Sequence, residues 1–345
     1  ALAGCENLSK PDDADDSGGS GVSETARAET VHSSEKQPVK EPFDLYGVVA
    51  EDALSSTSVY FYNVSGGYAV YSKNENWKTP PASTLKIMTC LVVLETVSDL
   101  DAVVEVPYEC FSEFYAGDPN KEDIASAGIF PGAENLTYRD CLYALMVASG
   151  CEAANILAYN AAGGDMTAFF GKMNALAAEL GCADTNFTNA HGLYEADNYS
   201  CAKDMFLITR RAYENHPLFA EICRAGSYEM PPSGGNPGGY TLTARDMLAL
   251  KREDNPYHTA GANRIKTGSI NYFYEYKDGA WDVMSEGTTS LVSCAVYDGE
   301  FYILATLGAP YYFGPYTDDD GNVLRGLHYT YLDHKLLYEA AFGNG

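Results

Sequence analysis

The sequence predicts an α/β fold in which a helical block is inserted between two parts of one sheet. Three observations carry this. Over residues 56–71, and again from residue 263 onward, apolar residues recur with the period of two that marks strands. The middle of the 345-residue chain follows a helical period instead. Hydrophobic residues make up 46% of the chain, enough for a real core, so wholesale disorder is excluded. With both ends contributing strands to one sheet, the natural place for a site is the cleft between the sheet and the helical block. The length fits one large domain or two small ones.

Residues 56–71 read as a hairpin around the turn Ser65-Gly66-Gly67, flanked by aromatic and β-branched residues. Helices are expected at 84–98, 138–149, 152–160, 165–180 and 203–215. Strands follow at 264–270, 290–297 and 301–307, the last two joined by the two-residue turn signal Asp298-Gly299. An amphipathic helix over 331–342 closes the pattern. Residues 101–133 and 271–287 are rich in aromatic and acidic side chains without a clear period, and read as loops; connections of that length are often functional.

Charge narrows the function classes. Asp and Glu number 48 against 22 Lys and Arg, a net −26. Residues 1–44 hold ten acids and four bases, which leaves 38 acids against 18 bases, or −20, in the folded part. A nucleic-acid partner is excluded, since gripping a phosphate backbone needs clustered Lys and Arg. No apolar run approaches the roughly 18 residues of a membrane span. The best one, over 87–97, is short and interrupted by Thr89 and Glu95.

The opening Leu2-Ala3-Gly4-Cys5 resembles a bacterial lipobox, in which Cys5 carries the lipid and residues 1–4 are the remnant of an export signal. The polar stretch behind it, up to residue 44, is too poor in large apolar residues to offset its ordering entropy and reads as a disordered acidic tether. The expectation is an exported lipoprotein on the outer face of the cytoplasmic membrane. Of the nine cysteines, the eight other than Cys5 form an even set that permits disulfides in an exported protein. Their placement favours buried thiols: Cys90 and Cys141 fall in helical patterns and Cys294 in an alternating strand. No CxxC spacing supports a zinc site.

Chemistry concentrates in three places. Ser83 and Lys86 stand three apart at a helix start, on one face about 5–6 Å apart at Cβ. A serine hydroxyl needs a positioned base to act as a nucleophile, and a lysine whose proton is driven off by burial can supply it. A solvated helix start is the plainer reading of that pair alone. Ser149, at the junction of two apolar helices, can relay a proton or cap the second helix. On the strand opening the C-terminal part of the sheet, Lys266 brings a fixed charge, Thr267 a hydroxyl, and Gly268 room for a substrate against the edge. Backbone N–H groups of Ser83 and Ser269 can together form an oxyanion hole.

In this order, Ser-x-x-Lys at Ser83, Ser149 and then Lys266-Thr267-Gly268 resemble the motif set of the penicillin-recognising serine enzymes. Over about residues 45–342 the chain is similar to the low-molecular-weight D-alanyl-D-alanine carboxypeptidases. The likeness includes the stretches 136–140, 145–150, 187–193 and 198–204. It implies a β-lactamase/DD-peptidase-like α/β fold, an antiparallel sheet flanked by helices with an inserted all-α subdomain. The sheet part is then 45–81 and 262–345 and the helical part 82–261. It implies Ser83 as the acylated nucleophile, Lys86 as its base and Ser149 as relay to the leaving amine. Lys266 then balances the lysines' protons and, with Thr267, binds the terminal carboxylate. The substrate is a peptidoglycan stem peptide ending in D-Ala-D-Ala, β-lactams acylate the same serine, and no metal or organic cofactor is required. His191 belongs to a structural loop in such a family.

One position departs. The second motif usually ends in Asn, where this chain has Cys151, a weak donor without a carbonyl. Asn155 lies a helical turn further on and matches a separate family position. Activity is expected to survive, with weaker substrate orientation, slower deacylation or a tilt toward transpeptidation. A β-lactamase is disfavoured, because Glu195 is followed four residues on by Tyr199 rather than Asn. A penicillin-sensing or wall-binding lipoprotein remains the non-catalytic alternative. Relatives often carry a β-rich domain and an amphipathic anchor after the catalytic part. Neither is evident after residue 342, so attachment is expected through Cys5.

Overall fold

A computed structural model describes residues 42–122, 124–244, 246–251, 255–277, 279–311, 315–317, 323–325 and 329–343. Cys5 and the tether expected over 1–44 lie outside these residues, apart from 42–44. The chain opens with the hairpin β1 (Ser58–Asn63) and β2 (Tyr68–Lys73). It then enters helices α1 (Lys86–Thr96), α2 (Tyr138–Val147), α3 (Cys151–Ala161), α4 (Met166–Glu179), α5 (Ala202–Asn215) and α6 (Pro217–Arg224). A two-stranded sheet, β3 (Ser227–Met230) with β4 (Tyr240–Thr243), follows in the same inserted stretch. Next come β5 (Ala262–Lys277), β6 (Ala280–Tyr297) and β7 (Glu300–Pro310), a short pair β8 (Pro315–Thr317) and β9 (Val323–Arg325), and the closing helix α7 (Tyr329–Phe342).

Five strands form one antiparallel sheet in the order β2-β1-β7-β6-β5, so the two ends of the sequence meet at the β1–β7 pairing, Val59 opposite Thr306. Both faces are covered, which shows in β7. Phe301, Ile303, Ala305 and Leu307 pack into the core shared with the helical block, while Tyr302 and Leu304 face the smaller core under α7. A strand buried on both sides loses its polar alternation and reads as a continuous apolar run. Helix α1 is buried from Lys86 to Val93 and threads the helical block. A helix apolar all round has no solvent face to satisfy. Thr137 and Asp140 close a reciprocal capping box at the start of α2.

The loop expected over 271–287 is overturned. Strands β5 and β6 run on as a long hairpin to the pair Lys277–Ala280. Its outer part is exposed on both faces, so no apolar face had to be encoded, and aromatic pairs such as Tyr276 and Trp281 (ring centroids 5.2 Å apart) hold the strands instead. Among its described residues the stretch 101–133 holds single turns at Tyr108–Cys110, Ser112–Tyr115 and Pro119–Lys121 and an isolated bridge from Val103 to Thr137. The eight described cysteines are all free and buried. No helix among the described residues is long and apolar enough to cross a membrane.

Candidate active site

Ser83 sits in a 3-10 turn, Ala82–Leu85, that leads directly into α1. Two neighbours fix this turn from either side. A Cβ on Gly268 of β5 falls 2.7 Å from the Ser83 amide nitrogen, and one on Gly192 falls 2.0 Å from the Ala82 carbonyl oxygen. Only glycine lets strand and loop close so tightly on the turn. Ala82 is fully buried at φ +50°, a left-handed conformation that costs an L-residue about 1–2 kcal/mol. The strain lies one residue before the serine.

Lys86, fully buried, puts its Nζ 2.8 Å from Ser83 Oγ. The same nitrogen donates to the His191 carbonyl at 2.6 Å and makes a longer contact of 3.5 Å with Cys151 Sγ. Burial pushes its pKa below lysine's ordinary value, while Cys151 and Glu152 oppose the shift. Among the described residues no carboxylate is within bonding reach to hold the proton on. Burial also keeps the Cys151 thiol above its usual pKa, so it stays neutral despite Lys86.

Lys266, equally buried, donates to Ser149 Oγ and to the Thr267 carbonyl, each at 2.8 Å. Its pKa falls well below normal through burial, then through the nearby charges of Lys86 and Arg264. Ser149 holds φ +63° at the α2–α3 junction. Gly150, not Ser149, occupies the N-cap of α3 and gives no side-chain cap, so the serine hydroxyl serves Lys266 instead of capping. Two buried lysine–serine pairs thus line the junction of α1, α3 and β5. Thr267, Gly268 and Ser269 continue along β5, an edge strand, past Ser83. Asn155 bonds the Cys110 carbonyl and Glu113, so it does not stand in for Cys151.

One cluster carries no local signal in the sequence. The ring of His191 accepts from the Leu193 amide at Nδ1 (3.1 Å), which leaves Nε2 as the donor to Glu113 Oε1 at 3.1 Å. Glu113 also pairs with Lys121 at 2.9 Å, and Lys121 reaches Glu195 at 3.0 Å. Burial raises the Glu113 pKa, but the His191 and Lys121 bonds outweigh it and hold the carboxyl well below its ordinary range. The His191 backbone that receives Lys86 is thereby anchored by an ionised network. Glu195 is taken up by Lys121 and Thr188.

A family model described as D-alanyl-D-alanine carboxypeptidase, of the peptidase S11 type, matches residues 47–271. The chain belongs to this family. A D-alanyl-D-alanine carboxypeptidase of Streptomyces sp. (strain K15) is 31% identical over 228 residues, 64% of this chain and 74% of that protein. One of Mycobacterium tuberculosis is 33% identical over 211 residues, 61% of this chain and 64% of that protein. Against one of Bacillus subtilis the chain spans less than half of the relative, 44%. Among solved structures, the Streptomyces K15 DD-transpeptidase superposes with a TM-score of 0.63 at 24% identity, covering 86% of this chain and all of that one, which shows a shared fold. Solved variants of that transpeptidase replace a serine and, two positions on, a cysteine. The chain is thus a serine-type peptidase of a cell-wall family, with the penicillin-binding α/β fold.

Proposed function

We propose that the chain cleaves the terminal D-Ala from peptidoglycan stem peptides through an acyl-enzyme on Ser83. The observation that carries this reading is the 2.8 Å contact between Ser83 Oγ and a buried Lys86 that bonds no carboxylate among the described residues. In the first half-reaction Ser83 Oγ bonds to the carbonyl carbon of the penultimate D-Ala while Lys86 accepts the hydroxyl proton. The C–N bond to the terminal D-Ala then breaks, and its nitrogen takes a proton delivered through Lys86 and Ser149. Water attacks the ester in the second half, releasing the shortened peptide and restoring the serine. Lys266 and Thr267 hold the terminal carboxylate, and the Ser83 and Ser269 amides receive the oxyanion. Residues from 45 on form this catalytic domain, with the sheet part over 45–81 and 262–345 and the helical part over 82–261.

A second reading is favoured by Cys151. The Ser-x-Cys spacing of Ser149 and Cys151 is the one substituted in the relative named a DD-transpeptidase, so transfer to an amine acceptor can compete with hydrolysis. Export and attachment through a lipid on Cys5 rest on the opening Leu2-Ala3-Gly4-Cys5 and are read by the mass of the exported protein's N-terminus. The deciding experiment is labelled penicillin: the folded protein takes one label at Ser83, and S83A takes none. No label on folded wild type sinks the catalytic reading. With a D-Ala-D-Ala peptide, steady D-Ala release marks the carboxypeptidase, whereas transfer to an added amine marks the transpeptidase.

A further inference from the structure

A cavity of about 570 Å³ opens beside Ser269, between the outer part of β5 and the loop that ends at Ala125. Its walls include Tyr194, Tyr272, Tyr274 and Tyr311, with Glu122 as the only carboxylate among the described lining residues. Glu122 makes no hydrogen bond or ion pair with any described residue, although the neighbouring Lys121 is held by Glu113 and Glu195. The wall is built rather than incidental. Asn120 donates to the Tyr274 carbonyl (3.1 Å) and accepts from its amide (3.0 Å), clasping the loop to the strand, and Phe273 packs on Tyr194 with ring centroids 4.8 Å apart.

The direction of a bound peptide follows from the function proposed above, on which this inference rests. With its carboxylate at Thr267 and its scissile carbonyl at Ser269, the substrate runs toward higher residue numbers as it proceeds toward its own N-terminus. The Asn120 clasp takes the backbone groups of Tyr274 and closes the groove there. From Ser269 to Tyr274 is roughly 17 Å of strand at about 3.4 Å per residue, enough for the two or three residues that precede the cleaved bond. The residue before the D-Ala pair therefore lies against the tyrosines and Glu122.

We propose that this cavity is a specificity pocket for a positively charged amino group on the side chain of that residue. Tyrosine faces attract a cation through their quadrupole, and an unpartnered carboxylate supplies the counter-charge. A neutral side chain gains nothing from Glu122, which is exposed and stays in water. The pocket thus selects stem peptides carrying a free side-chain amine over those in which the amine is already acylated.

The test uses two N-capped peptides, each ending in L-Lys-D-Ala-D-Ala, one with a free ε-amine and one with it acetylated. The free amine is expected to raise kcat/KM by about tenfold, and E122Q is expected to bring the two peptides to within about twofold of each other. Equal values in the wild type, or a preference undiminished in E122Q, overturn the pocket. Penicillin labelling of Ser83 in the same preparation separates the two ideas. Labelling with no amine preference removes only the pocket, and absence of labelling removes the catalytic reading and the pocket with it.

Discussion

Lys86 has three polar neighbours, and a neutral amine can serve all three as well as an ammonium can. A neutral amine has two N–H donors and one lone pair. The His191 carbonyl at 2.6 Å and Cys151 Sγ at 3.5 Å accept the donors, and the lone pair is left for the Ser83 hydroxyl at 2.8 Å. Burial lowers the pKa from lysine's ordinary 10.5, so the basic form is reached at lower pH than in a free lysine. In the proposed role the protonated form cannot take the serine's proton, so the penicillin acylation rate should rise with pH along one ionisation set below 10.5; a rate flat up to pH 10 removes Lys86 as the base. The long Cys151 contact is weak, so C151A should slow acylation by less than about tenfold. Ser83, Lys86, Ser149 and the strand from Lys266 to Ser269 were legible because each motif is local. The network of Glu113, Lys121, His191 and Glu195 was not, because its members come from separate loops and meet only in the fold.

At the scale of elements, burial decided what could be read. Helices α2 to α5 bury a face or more and left a helical period in the sequence, and strand β7, buried on both faces, left a continuous apolar run. The outer β5–β6 hairpin buries little and left none. Helix α7 is pinned to the sheet by a polar contact inside an apolar layer: His334 bonds Ser293 Oγ at 2.7 Å and Thr306 Oγ1 at 2.9 Å, and Ser293 also bonds the Tyr338 hydroxyl at 2.7 Å. Burial pushes the His334 pKa down from 6.5 to about 3. A folded-state pKa below the unfolded one means that the unfolded chain binds the extra proton, so stability falls as pH drops from 6.5 toward 3. The slope from this one group is at most about 1.4 kcal/mol per pH unit. Urea unfolding between pH 7 and 4 should show it, and H334Q, which cannot take the proton, should lose that part of the slope while other acids keep theirs. An identical pH dependence in the two proteins rules out His334 as the source.

The whole molecule sets its fixed charge against its site. Residues 45–345 carry −20, from 38 acids and 18 bases, and the two lysines of the site are buried, so approach is governed by a negative field. Such a field repels an anion at distances up to about a Debye length, roughly 10 Å at 0.1 M salt and 30 Å at 0.01 M. Benzylpenicillin carries one carboxylate, so its second-order acylation rate should increase several-fold as ionic strength rises from about 0.01 M to 0.3 M. A peptide with a free side-chain amine brings a cation to offset its own carboxylate and should show a weaker dependence or the opposite sign. The same field works against electrostatic adhesion to an anionic wall or lipid surface. Acylation by penicillin that slows with added salt would show that local cations rather than the −20 body control encounter. The substrate's side-chain amine would then have to act only after contact.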